Sequence, residues 1–311
     1  MNELFIHLRK DLKMLTSDSL FVVLMLALGV IAFVVGLTTC MTYISGGFGG
    51  WTDIVTRASI AQSQRNALSS YWSSIGNIYA MVFLITAAMA LSGEKESGMS
   101  KYILTFRVRK PMFYLSKMVV LVLIASVALV VALVAYLVVF SVMDLPMLDL
   151  PILGASILFP WLSMVAFASL GLAISTLSSK KAAVIGVAVV VFFALSILSG
   201  VSYYAGVGAA LHVNPQAQVN NYTEFMPVEY KLLIYSNPMV LMQGTSYVLG
   251  VDNYQAKLFD PSMGMLIATI QIALLTGLGA MSFWRERRDR SLFGALLSMV
   301  KRSTLDRGQG S

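Results

Sequence analysis

The chain has 311 residues, 58% of them hydrophobic and only 12% Asp, Glu, Lys or Arg, against about a quarter charged in an ordinary soluble domain. That composition excludes a freely soluble enzyme and points to the lipid bilayer. The formal charge of +7 does not describe a nucleic-acid face, because the basic residues fall in short runs between long apolar stretches.

Residues 1–17 place Leu4, Phe5, Leu8, Leu12 and Leu15 on one helical stripe, with Glu3, Arg9, Lys10 and Lys13 elsewhere around the helix. This predicts an amphipathic helix lying in the membrane interface. No small-residue cleavage site precedes the first long apolar run, so that run is expected to stay in the mature protein. A helix crossing a hydrocarbon core of about 30 Å needs about 20 residues at about 1.5 Å each. Stretches 20–43, 71–92, 114–142, 152–177, 183–204 and 263–284 meet that test, and Lys117 is the one Asp, Glu, Lys, Arg or His among them. A charge at the centre of a span costs about 2.5–3.5 kcal/mol and is usually kept for ion or proton handling. Such a centre is not expected here. The lone cysteine, Cys40, falls in the first span and has no intrachain disulfide partner.

Placing the N-terminus inside leaves only Arg57, Arg65, Lys231 and Lys257 of the 22 Lys and Arg outside. The positive-inside rule therefore predicts both termini in the cytoplasm. Trp51 and Trp72 on the outer side and Trp284 on the inner side fit an aromatic belt. Outside, residues 205–262 form the largest loop, broken by Pro215, Pro227, Pro238 and Pro261, and short helices are expected there. The tail 285–311 returns to the cytoplasm, with a second interfacial helix expected at 291–302.

The inner loop 93–113 is the most informative segment. Ser92 and Gly93 are expected to end the second span and Ser97 to cap a new helix. Met99, Tyr102, Ile103 and Phe106 then follow i, i+3, i+4, i+7, with Ser100, Lys101 and Thr105 on the other side. Flanked by Glu94 and Glu96 before and Arg107, Arg109 and Lys110 after, this makes a compact protrusion that fits a partner's groove or packs on its own bundle.

Catalytic and metal constellations are not expected. His7 and His212 fall on opposite sides, and His212 with Glu224 or Glu229 is too unspecific for a metal site. Asn221, Tyr222 and Thr223 form a glycosylation sequon on the outer side. No G-x-x-x-x-G-K-[ST] phosphate loop occurs in the sequence, so no nucleotide is expected on this chain. Within the spans, Asn77 and Gln271 are polar residues that either bridge helices or line a pathway.

The whole layout resembles the type-2 ABC-transporter permease family: amphipathic N-terminus, six spans, an E-K-E-S-G inner loop followed by R-x-R-K-P and a Lys, and a large outer segment before the last span. The matching residues are Glu94, Glu96 and Gly98, then Arg107, Arg109, Lys110 and Lys117, with Met99 where Thr is usual; SNPMVLMQG at 236–244 resembles the family's Pro-containing outer helix. The resemblance implies an all-α permease in the plasma membrane, paired with a second permease, identical or related, and with two ABC ATPase subunits that hold ATP and Mg. It makes 93–106 the coupling helix, with Glu94, Glu96, Gly98, Met99, Tyr102, Ile103 and Phe106 facing the ATPase. An uncharged path suits export of an amphipathic or lipid-like cargo. A self-sufficient carrier or channel, or a scaffold recruiting a cytoplasmic partner, is the alternative class.

Overall fold

In lipid every backbone N–H and C=O must find a partner inside the protein, so apolar runs of this length become helices. The computed structural model describes residues 8–13, 19–47, 57–98, 110–145, 147–215, 222–251 and 259–285. Residues 8–13 form a helical turn. The longer elements follow as α1 (Ser19–Gly47), α2 (Arg57–Glu96), α3 (Lys110–Val142), α4 (Leu150–Ser156), α5 (Leu158–Ile174) and α6 (Lys181–Val213). After α6 come the short α7 (Tyr222–Phe225), α8 (Val228–Tyr235), a 3-10 turn (Pro238–Met242) and α9 (Gln243–Val248), and α10 (Pro261–Arg285) completes the bundle. Taking α4 and α5 together, six helical segments among the described residues are long and apolar enough to cross a membrane.

The helices overrun the spans that hydropathy marks. α2 has 40 residues and is therefore about 60 Å long, twice the hydrocarbon thickness. Ser92 and Gly93 do not end it: the Ser92 hydroxyl donates to the Ala88 carbonyl at 2.9 Å and the helix runs on to Glu96. Ser97 lies in the turn that follows, and residues 99–109, where the new helix is expected, lie outside the described residues. The Ser97 N–H donates to Gly93 O at 3.1 Å, and Gly98, at φ 74°, donates to Lys95 O at 3.2 Å. That is a helix C-terminus closed by a left-handed glycine. The fourth span is likewise broken at Ile157, and the fifth continues to Val213.

α5 is the central helix, packed against α2, α3 and α10, with α1 outside α2 and α3. α5 and α2 approach closely at Gly171, where a Cβ would run into the Leu84 carbonyl, the Ala87 side chain and the Ala88 backbone nitrogen of α2. Small residues that let backbones approach are the usual means of holding helices together in lipid. Buried polar tips add bonds between helices. Tyr79 OH donates to Leu28 O at 3.1 Å, Tyr71 OH donates to Ala132 O, and the Trp72 indole donates to Ser156 Oγ at 2.9 Å beside the Ile157 break.

The proline-broken segment forms short helices, and its second half is wedged into the bundle. Asn237 is buried; its amide donates to Leu195 O at 2.7 Å and its carbonyl oxygen accepts from Met239 N–H at 3.1 Å. Ser163 Oγ donates to Pro238 O at 2.9 Å, and the Ser69 and Ser246 hydroxyls meet at 2.6 Å. Leu195 lies about 21 Å along α6 from Lys181, so the wedge reaches the middle of that helix. The non-helical backbone there is tolerated because protein surrounds it.

The Gly171 contact yields a test. Gly171→Leu should prevent a monodisperse, cooperatively unfolding protein in detergent, whereas Gly186→Leu, where a Cβ meets nothing within 4 Å, should leave the melting curve essentially unchanged.

Candidate functional site

A lysine at the start of an apolar span needs a carboxylate, and Lys117 has two. It is 8% exposed, and its Nζ lies 2.7 Å from Asp11 Oδ1 and 2.6 Å from Glu94 Oε1. Ser116 Oγ donates to Asp11 Oδ2 at 3.0 Å. Three segments distant in sequence, the turn at 8–13, the end of α2 and the start of α3, thus converge on one ammonium. The Phe113 ring shares this layer, with Lys10 Nζ 5.8 Å and Lys117 Nζ 5.3 Å from its centroid, within reach of cation–π attraction.

The cluster is nearly dry. Asp11 is 1% and Glu94 3% exposed. Two carboxylates and the ammoniums of Lys10 and Lys117 make the group formally neutral. Glu94 Oε2 and Lys10 Nζ are buried without a hydrogen-bond partner among the described residues.

The last turn of α2 makes a second set of ties. Lys95 Nζ donates to Thr176 O at 3.2 Å and lies 5.7 Å from the Phe283 ring of α10. Thr176 Oγ1 donates in turn to Ser282 Oγ at 3.2 Å. Glu96 Oε2 accepts from the Lys181 backbone N–H at 3.0 Å, at the start of α6. Glu94, Lys95 and Glu96 thus fasten one end of α2 to the N-terminal turn, α3, the α5–α6 turn, α6 and α10.

The expected partner-facing residues separate here. Glu94 does not face outward; it is an internal member of the clamp. Glu96 is exposed but tied to Lys181, and Gly98 closes α2. Met99, Tyr102, Ile103 and Phe106 lie outside the described residues. Asn77 lies on an exposed face of α2 with Ser70, Ser73 and Ser74. Gln271 bridges elements instead: its amide donates to Ser236 O at 3.1 Å, pinning α10 to the wedge. Sequence reasoning missed Asp11. The signal was Lys117 itself, because a lone ammonium in an apolar span requires a buried acid on the same side of the bilayer. Among the described residues no group of His, Cys, Asp and Glu could hold a metal.

Removing one member of a buried charge cluster costs about 3–5 kcal/mol because its partners are left uncompensated. Lys117→Met should therefore lower the thermal unfolding midpoint in detergent by many degrees. Lys117→Met combined with Glu94→Gln, which leaves Asp11 balanced by Lys10, should recover most of that loss.

Residues 7–289 match the family model described as ABC-2 family transporter protein. No curated protein matches significantly.

Proposed function

Because the chain belongs to the ABC-2 family of transporters, we propose that it is one of two permeases in an exporter driven by two separate ABC ATPase subunits, which bind the ATP and Mg. As a member of that family the chain is a membrane transport subunit and not itself an enzyme. In this reading it lies in the plasma membrane with both termini in the cytoplasm, and the loop between Gly98 and Lys110 docks on the ATPase.

The observation that carries the reading is the position of the clamp. Glu94 sits just before that loop and Lys117 just after it, and they bond to each other at 2.6 Å. Force applied to the loop meets the clamp first. From there α2 is a continuous helix running to Arg57, so a tilt at Glu94 is carried about 55 Å to its far end. The wedge also moves with α2 through the Ser69–Ser246 contact. A rigid rod fastened at one end and coupled to a re-entrant wedge at the other suits alternating access by small rotations of packed helices.

The second permease is supported by the exposed polar face of α2. Ser73, Ser74 and Asn77 are exposed on a single chain within the part of α2 that hydropathy assigns to the membrane. Polar side chains facing lipid are costly, so another copy or a water-filled path is the better neighbour. The described polar residues of that face are hydroxyls and an amide, which favours an amphipathic cargo over a free ion.

Orientation is checked with an impermeant thiol reagent on intact cells in a Cys40→Ser background. Gly49→Cys should be labelled and Ser100→Cys protected; labelling of Ser100→Cys overturns the topology. Coupling is checked with Tyr102→Ala combined with Phe106→Ala. Aromatic truncations at the centre of a small interface typically cost about 2 kcal/mol or more each, so the ATPase should no longer co-purify. Glu94→Gln should keep the ATPase bound but lower cargo-stimulated ATP hydrolysis. Full recruitment and full stimulation in the double variant sink the assignment of the loop.

A further inference from the structure

At the end of the bundle opposite the clamp, α6, α8 and the start of α10 enclose a cavity of about 410 Å³. That volume is within the range of about 300–1,000 Å³ common for small-molecule sites. Its level in the bilayer follows from α6. Ser199 and Gly200 line the cavity and lie about 28 Å along the helix from Lys181, against a hydrocarbon core of about 30 Å. The cavity therefore opens where acyl chains give way to headgroups.

Its walls are divided by chemistry. Met226, Ile234 and Met263 give an apolar part, and Tyr203, Tyr204 and Phe259 give aromatic faces. Glu224, Lys231 and Asp260 bring charges of both signs. Asp260 is already engaged: its Oδ1 accepts from Ser262 N–H at 2.9 Å, Ser262 Oγ at 2.6 Å and Met263 N–H at 3.2 Å, capping α10. The Ser262 hydroxyl bond chiefly, with Lys231 contributing, holds its carboxyl below the usual range. Glu224 and Lys231 form no ion pair with another described residue. A purely anionic headgroup would face Glu224 and the Asp260 carboxylate, and a purely cationic one would face Lys231. A headgroup carrying both charges satisfies both, its ammonium against the carboxylate and tyrosine faces and its phosphate against the lysine.

We infer that this cavity binds the headgroup of a zwitterionic amphiphile, one bearing an ammonium and a phosphate, taken from the adjoining leaflet with its chain along the apolar wall. Binding needs neither ATP nor a partner chain, so its failure leaves the permease reading standing, and the reverse also holds.

The test is equilibrium binding of a radiolabelled short-chain phosphatidylethanolamine to the purified full-length chain in detergent. The phosphatidylglycerol of equal chain length is compared in parallel. Saturable binding of the first, about tenfold or more tighter than the second, is expected. Glu224→Gln and Lys231→Gln should each weaken it about tenfold. Gly200→Phe should abolish it, since Gly200 lines the cavity and a Cβ there meets nothing within 4 Å. An unchanged unfolding midpoint shows that this variant folds. If the midpoint falls, the two charge variants decide. Free phosphoethanolamine should compete only weakly, because it lacks the chain. Equal affinity for the two lipids, no saturable binding, or binding indifferent to Glu224→Gln and Lys231→Gln overturns the inference.

Discussion

An ammonium cannot be left unpaired at the edge of a hydrocarbon core, and the arrangement of the bundle's basic end follows from how Lys117 meets that constraint. Its two carboxylates come from the N-terminal turn and from the last turn of α2. One side chain therefore fixes where the chain enters the bilayer and how the ends of α2 and α3 lie against each other. Lys95 and Glu96, the next residues along α2, fasten the α5–α6 turn, α6 and α10. Nonspecific apolar contact could not set these relations, because lipid competes with side chains for apolar surface.

The far end obeys the same rule with neutral groups. A segment too polar to be a span enters the bundle because Asn237, Ser163 and Gln271 supply the bonds its backbone would otherwise take from water. The wedge and the clamp are joined by α2, which touches both. Gly171 lets α5 approach α2 closely enough to act as a spine for that rod. The family's transport function thus has a mechanical frame in which few parts are independent.

The spans were legible because hydrocarbon thickness sets their length and apolar residues must fill them. The ends were not, because the hydrogen bonds of a helix do not stop where lipid stops: Ser92 and Gly93 mark a change of solvent, and α2 continues through them. The short helices after α6 were legible from their prolines, whereas their descent into the bundle was not. Asn237 has the same local pattern whether it caps a surface turn or reaches Leu195 across a helix interface. Gln271 was ambiguous for the same reason, and its amide turns out to bridge. Asp11 was hidden because a carboxylate on an amphipathic arm reads as solvated until a buried lysine is matched to it.

Lys117 and the two acids bonded to it also come in an order along the chain, Asp11 first, Glu94 next and Lys117 last. Chains emerge from the ribosome N-terminal end first, so both acids are in place before the lysine is made. When α3 enters the bilayer, its ammonium can move straight from water to a waiting pair of carboxylates. The reverse order would strand a lone cation at an apolar helix end for the time needed to synthesise its partners. The sequence position of an ion pair, which has no bearing on its final energy, thus governs how safely the chain can be built.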